Sequence, residues 1–359
     1  MRCRTRRNIP LSSGKPIWLR GWTKAGKRAL RVTRQARKVS GQAIKDQIAT
    51  VEKVSRRILS GVATPTPPPT ARGGGRWEEG RWGSGPLALR NYRLFIPRGS
   101  SASRPAPLLL LLHGCGQDAA SFATCTRVAS LARAERVTVL LPEQSTHASR
   151  QRCWKWFGAE SLVAREAMIL MSIVEHVSVL HPVRRDQVFA LGISAGGSMA
   201  LTLALRYPHR FKAVGTHSGA VPHSASSAIQ AGQSMRGRRS ANAEALRWRL
   251  LGRRLPPLIA LHGDADRVVT FDNASASTAL WLDLLPHEAP RAGRSREVQR
   301  GRRRRYTVTD WHLATAPYVR LIQINGLGHA WSGGAPKQAF SDPTGPDALK
   351  LAMRFFAEV

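Results

Sequence analysis

Cysteine is scarce in this chain. Cys3, Cys115, Cys125 and Cys153 are the only four in 359 residues. They are too scattered for a disulfide framework, and no C-x-x-C pair points to zinc or redox chemistry, so no metal site is expected. Long hydrophobic runs are missing as well. The longest uninterrupted apolar stretch falls far short of the roughly 18 residues a membrane span requires, which predicts a soluble chain with no transmembrane segment. Arg6-Arg7 resembles a twin-arginine signal, but Asn8 to Ser40 lacks the apolar core that must follow it, so no secretion signal is visible. Acidic residues are few, 22 against 56 Lys and Arg, for a formal net charge of +34. A field of that sign attracts polyanions and anionic membrane surfaces and says little about fold. Zinc-finger spacing and aromatic ribonucleoprotein motifs are absent, so no specific nucleic-acid module is expected. Two readings of the charge stay open: contact with an anionic surface or granule, and a solvated arginine-rich exterior.

The charge is unevenly spread. Met1 to Leu59 carries 17 Lys or Arg against Asp46 and Glu52, and Arg291 to Arg305 carries eight arginines against Glu297. Within the first segment Leu30, Val32, Ala36, Val39, Ala43, Ile44, Ile48, Val51, Val54 and Ile58 recur at helix-compatible spacing among the cations. Residues 1–62 are therefore expected to form a basic extension, partly helical or flexible, acting either as a surface anchor or as a loose arm. Thr64 to Thr70 holds four prolines in seven residues and Gly73-Gly74-Gly75 follows, which predicts a linker over 63–86. Residues 87–359 make the remaining domain. There, Ala88 to Ile96 is expected to begin a sheet. Strand-like runs at Leu108, Val137, Val188, Val214, Leu258 and Val319 alternate with helical stretches such as Glu160 to Leu180, as a mostly parallel, doubly wound α/β sheet produces. Ser224 to Arg254 and Pro286 to Arg305 are expected as excursions from that sheet.

Leu191-Gly192-Ile193-Ser194-Ala195-Gly196-Gly197 is the most informative stretch. G-x-S-x-G marks an elbow in which the chain turns sharply from strand to helix, and the two glycines leave room for the serine to stand clear of the backbone. Val188 to Leu191 fits the strand, and Ser198 to Leu205 fits a helix that stops at Tyr207-Pro208. The motif occurs by chance roughly one time in ten in a chain of this length, given Gly and Ser usage near 7%. Order along the chain adds support. An acid should follow the serine and a histidine should come last, each after a strand. His262-Gly263-Asp264-Ala265-Asp266 follows Leu258 to Leu261, and Gly328-His329-Ala330-Trp331 follows Leu321 to Ile324. Upstream, Leu108 to Leu112 runs into His113-Gly114-Cys115-Gly116-Gln117, a loop placed to donate backbone N–H groups to an oxyanion.

From about Leu87 to Val359 the chain resembles the esterase family that includes the short-chain poly(3-hydroxyalkanoate) depolymerases, with acetylxylan and feruloyl esterases as relatives. The resemblance rests on Leu112 to Gln117, Pro142-Glu143-Gln144, Cys153-Trp154-Lys155-Trp156-Phe157, the serine elbow, His217-Ser218-Gly219, His262 to Asp266, Gly328 to Gly334 and Ser341 to Ala348. It implies an α/β-hydrolase fold, hydrolysis of carboxylic esters without a metal or organic cofactor, an extracellular setting, and a triad at Ser194, Asp266 and His329. Against the absent signal, a cytoplasmic setting is the alternative. Lys155 departs from the family, which usually has Asn between the two tryptophans, and this bears on substrate fit.

Asp264 rivals Asp266 as the acid; the family's H-G-x-x-D-x-x-V pattern favours Asp266, three residues before Val269. Backbone N–H groups of Cys115 and Ala195 are the expected oxyanion donors. Cys115 is expected as a buried free thiol, with pairing to Cys153 as the alternative. Trp331 and Trp154, with Trp156, are candidates to line an apolar cleft for an acyl chain or polyester, although core packing explains each equally well. His113 and His262 are expected to bond the backbone at strand ends. The substrate is expected to be a polyhydroxybutyrate-like ester; a carbohydrate ester, or a non-catalytic granule- or polyanion-binding role on the same scaffold, are the alternatives.

Overall fold

The computed structural model describes residues 74–285 and 290–359, all within one compact unit. The basic extension over 1–62 and the Pro-rich stretch of the expected linker lie outside the described residues.

Eleven strands form one sheet. In chain order they are β1 (Gly75–Trp82), β2 (Arg90–Pro97), β3 (Ala106–Leu112), β4 (Thr138–Pro142), β5 (Val183–Ile193), β6 (Ala213–His217), β7 (Leu258–Gly263), β8 (Arg291–Ala292), β9 (Arg296–Val298), β10 (Tyr306–Leu313) and β11 (Ala316–Ile324). Their spatial order is β1-β2-β4-β3-β5-β6-β7-β11-β10-β8, with β9 also pairing β10. From β4 through β11 neighbours run parallel; β1, β2, β10, β8 and β9 are antiparallel additions at the two edges. This is the mostly parallel α/β-hydrolase sheet that the alternation predicts.

Among the described residues the helices of seven residues or more are α1 (Ala119–Thr126), α2 (Val128–Ala134), α3 (Glu160–Leu180), α4 (Ala195–Arg206), α5 (Ala228–Met235), α6 (Ala243–Leu250), α7 (Asp272–Asp283) and α8 (Ala348–Glu358). Strand β3 shows why they divide into two layers. Its side chains alternate across the sheet, so Leu108, Leu110 and Leu112 join a core under α3, α4, α6 and α7, while Leu109 and Leu111 join another under α1, α2 and α8. A strand covered on both faces has no polar side, which is why Leu108 to Leu112 reads as an unbroken apolar run. Helix α8 buries Leu349, Ala352, Phe355 and Phe356 at helical spacing, and Phe356 stacks on Phe189 of β5 with ring centroids 4.8 Å apart.

Two boundaries differ from the sequence expectation. The sheet begins at Gly75, inside the stretch read as linker over 63–86, because β1 pairs with β2 along its whole length and Trp77 packs edge-on against Phe95 at 5.2 Å. Four charged residues in β1 conceal a strand that lies at the sheet edge, where none of them is buried. Pro286 to Arg305 is likewise no pure excursion, since β8 and β9 within it pair with β10. Ser224 to Arg254 does leave the sheet and carries α5 and α6. Among the described residues no helix is long and apolar enough to cross a membrane.

Candidate active site

Strands β3, β5, β6, β7 and β11 are parallel neighbours, so their C-terminal ends open at one edge of the sheet, where ligands bind in open α/β folds. The Gly114–Gln117 loop follows β3, Ser194 follows β5, Asp266 follows β7 and His329 follows β11. Residues up to 215 positions apart thus reach one place.

Ser194 sits at φ 55° and ψ −124°, between β5 and the first turn of α4. Its N–H is held by the His217 carbonyl at 2.9 Å. The flanking glycines are sterically required. A Cβ on Gly192 would lie 2.4 Å from the Gly196 carbonyl, and one on Gly196 would lie 2.3 Å from the Leu112 carbonyl oxygen. Gly196→Ala is therefore expected to overpack the contact between α4 and β3 and to destabilise the fold by about 2–3 kcal/mol, read as a lowered urea midpoint. Unchanged stability would mean that the elbow can relax around a methyl group.

His329 links the other two members. Its Nδ1 lies 2.7 Å from Asp266 Oδ2, and its Nε2 lies 3.0 Å from Ser194 Oγ. A carboxylate can only accept, so Nδ1 carries the proton and Nε2 is free to accept from the serine hydroxyl. Asp266 is buried, and its other oxygen accepts the N–H groups of Val268 and Val269 at 2.9 Å each. His262 Nε2 donates to the Val269 carbonyl at 2.8 Å and stands 3.4 Å from Asp266 Oδ2. Burial by itself would raise the Asp266 pKa, but the hydrogen bonds from His262 and His329 outweigh it and hold the carboxyl well below the usual range. Asp264 does different work. It is exposed, and its carboxylate accepts the Gly326 N–H at 2.7 Å, which fastens the turn leading to His329.

The loop after β3 lies against the elbow: a Cβ on Gly114 would be 3.5 Å from Ser194 Cβ. Within this loop the Gly114 N–H goes to Gln117 Oε1 at 2.9 Å, the Gly116 N–H to the Gln151 carbonyl at 2.7 Å, and the Gln117 N–H to the Gly114 carbonyl at 3.3 Å. Neither the Cys115 N–H nor the Ala195 N–H has an acceptor among the described residues. One of these amides belongs to the residue after Ser194 and the other to the loop packed against the elbow, an arrangement compatible with an oxyanion site.

Cys115 is bonded to Cys153, which corrects the free-thiol expectation. The chain folds residues 38 apart onto one another because the 143–154 segment returns across the loop after β3. Among the described residues Cys125 is the free cysteine, buried, its thiol pushed up to about 12 by burial. The cleft role expected for Trp331 and Trp154 does not hold either. Both rings are 0 % exposed. Trp331 is stacked on His217 and meets Phe122 edge-on, and Trp154 donates its Nε1–H to the His113 carbonyl at 2.9 Å. Trp156 is buried too, which leaves Phe157, half-buried against it, as the accessible aromatic of that block.

The sequence reading missed His262 as a second donor facing the acid; the H-G-x-x-D spacing held the signal. His217 also emerges as a brace. Its Nε2 accepts the Ser332 N–H at 3.3 Å, so the proton sits on Nδ1, which donates to Ser218 Oγ at 3.2 Å. Burial, with His262 and His329 nearby, pushes its pKa down to about 3, and burial pushes His113 down to about 4. Both are folded as neutral rings, while the unfolded chain protonates them near 6.5. Stability is thus fully present above that pH and is lost as pH falls from about 6.5 towards 4. The thermal midpoint should drop over that range, and His217→Gln should flatten the slope. An unchanged slope in the variant would show that His217 does not contribute.

Residues 90–300 match the family described as esterase PHB depolymerase. The chain belongs to that family. Among curated relatives it is 28% identical over 132 residues to poly(3-hydroxyalkanoate) depolymerase C of Paucimonas lemoignei, covering 36% of this chain and 31% of the relative. It is also 28% identical over 141 residues to feruloyl esterase B of Neurospora crassa, covering 38% and 46%. The chain therefore matches less than half the length of either relative. Among solved structures, the acetyl xylan esterase of Aspergillus awamori superposes with a TM-score of 0.60 at 16% identity, over 79% of this chain and 100% of that one, a likeness of fold. Among the described residues of this family member, no group of three or more His, Cys, Asp or Glu is placed to hold a metal ion.

Proposed function

We propose that this chain is a serine-dependent carboxylic-ester hydrolase of the polyhydroxybutyrate depolymerase type. The observation that carries the reading is the continuous relay from Asp266 through His329 to Ser194, at 2.7 and 3.0 Å, beside two unpaired amides. Ser194 Oγ attacks the ester carbonyl while His329 Nε2 takes its proton, because a serine hydroxyl is a weak nucleophile without an adjacent base. Asp266 holds the imidazole in the required tautomer and stabilises the imidazolium. The Cys115 and Ala195 N–H groups stabilise the tetrahedral oxyanion, typically by about 3 kcal/mol per donor. Collapse expels the alcohol, protonated by His329. Water then repeats the sequence on the acyl-enzyme and releases the acid.

A polyester or hydroxyacyl ester is the substrate class that the family favours, and the feruloyl esterase relative favours a carbohydrate ester as the second reading. The Cys115–Cys153 disulfide supports an oxidising, extracellular setting. Purified protein assayed on p-nitrophenyl acyl esters, dispersed polyhydroxybutyrate and acetylated or feruloylated xylan separates these. Release of hydroxybutyrate oligomers supports the first reading, and release of acetate or ferulate alone supports the second. Hydrolysis of none of them would sink the proposal.

A further inference from the structure

The Cys115 amide stands where it does because of contacts that reach its loop from elsewhere. Three of them come from the 143–154 segment. Cys153 Sγ is bonded to Cys115 Sγ, the Gln151 carbonyl accepts the Gly116 N–H at 2.7 Å, and Trp154 Nε1–H donates to the His113 carbonyl at 2.9 Å. That segment is tied in turn to the protein interior. Gln144 donates its backbone N–H to His113 Nε2 at 3.1 Å, and its side-chain amide reaches the Cys153 carbonyl at 3.3 Å and Glu166 Oε2 at 2.9 Å. Glu166 Oε1 pairs with Arg90 Nη2 at 2.9 Å, with both side chains at most 3 % exposed. The disulfide is the covalent link between this anchored frame and Cys115, whose unpaired N–H is assigned to the oxyanion in the function proposed above.

We infer that the Cys115–Cys153 disulfide is a positioning element for the oxyanion site, so that ester turnover depends on its oxidation state. The inference rests on the function proposed above. In a reducing medium two thiols, R–SH, attack in succession: the Sγ–Sγ bond breaks, each cysteine leaves with one hydrogen, and one R–S–S–R forms. The Gly116 and His113 contacts remain, so the loop loosens without unfolding. Displacing a positioned group by about 1 Å costs on the order of 100-fold in rate. The loss falls on kcat because the oxyanion donor is engaged in the transition state and not in substrate binding.

The test uses the full chain and a soluble p-nitrophenyl ester. Protein is compared oxidised, reduced with a phosphine until two further thiols titrate, and reoxidised, alongside Cys153→Ala and Cys153→Ser, with far-UV circular dichroism to follow the fold. Reduction should lower kcat by about 10- to 100-fold with KM changed less than about threefold. A boronic acid that mimics the tetrahedral intermediate should lose affinity in the same proportion. Reoxidation should restore the natural protein and neither variant. A disulfide that only stabilises would lower the thermal midpoint and leave kcat and boronate affinity at 25 °C unchanged, and that result in folded, reduced protein overturns the inference. Should one variant fail to fold, the reduced natural protein gives the same reading. Ser194→Ala separates the two levels: if it is inactive while reduction leaves kcat intact, the triad stands and the positioning role falls; if it stays active, both fall.

Discussion

Ser194→Ala is expected to lower kcat on a small ester by about five to six orders of magnitude while the far-UV spectrum and unfolding midpoint stay near those of the natural protein. Removing the nucleophile of a triad disables serine and histidine together, leaving roughly 10³- to 10⁴-fold catalysis over water from the oxyanion site and binding. The fold should tolerate the change because, among the described residues, the serine hydroxyl hydrogen-bonds only His329, and the strained turn is held by its backbone bond to His217 and by the flanking glycines. Single-turnover measurement on purified protein, with the variant free of natural enzyme, is the check. Turnover within tenfold of the natural protein would remove Ser194 from the mechanism.

Asp266→Asn should cost about 10⁴-fold in kcat, whereas Asp264→Asn should cost less than about tenfold. The difference comes from the partners of each group. An amide at 266 presents an N–H2 that competes as a donor towards His329 Nδ1, and turning its oxygen there instead sets the amine against the Val268 and Val269 N–H groups. The first arrangement keeps the two backbone bonds and makes Nδ1 accept, so the histidine loses the tautomer that lets Nε2 accept from Ser194; the second keeps the tautomer only by setting donors against donors in the buried turn. At 264 the carboxylate meets the Gly326 N–H at the surface, and an asparagine oxygen can accept that bond equally well. If Asp264→Asn alone inactivated the enzyme, the acid would have been assigned to the wrong residue.

Legibility followed the local character of each constraint. The elbow could be read from seven residues because the clash that demands Gly192 and Gly196 involves backbone atoms close in sequence or on the adjacent strand. The six parallel strands were legible because burial on both faces leaves each as a short apolar run. Strand β1 was not, since an edge strand of alternating charge looks like linker until β2 is seen beside it. The sequence left cleft and core equally open for Trp154 and Trp331 because a residue's place in a motif says nothing about which way its ring points. Both turn into the core.

Residue types and their order along this chain determined the α/β-hydrolase sheet, the succession of a serine elbow, an acidic loop and a histidine loop, and the family. Those depend on backbone sterics and on the period of apolar residues, which are written locally. Only the tertiary structure decided that Asp266 and not Asp264 meets His329, that His262 also faces the acid, and that Cys115 is bonded to Cys153. Each of those depends on which side chains the crossing of separate strands and loops brings within about 3 Å, a distance at which hydrogen bonds form and one residue of displacement breaks them.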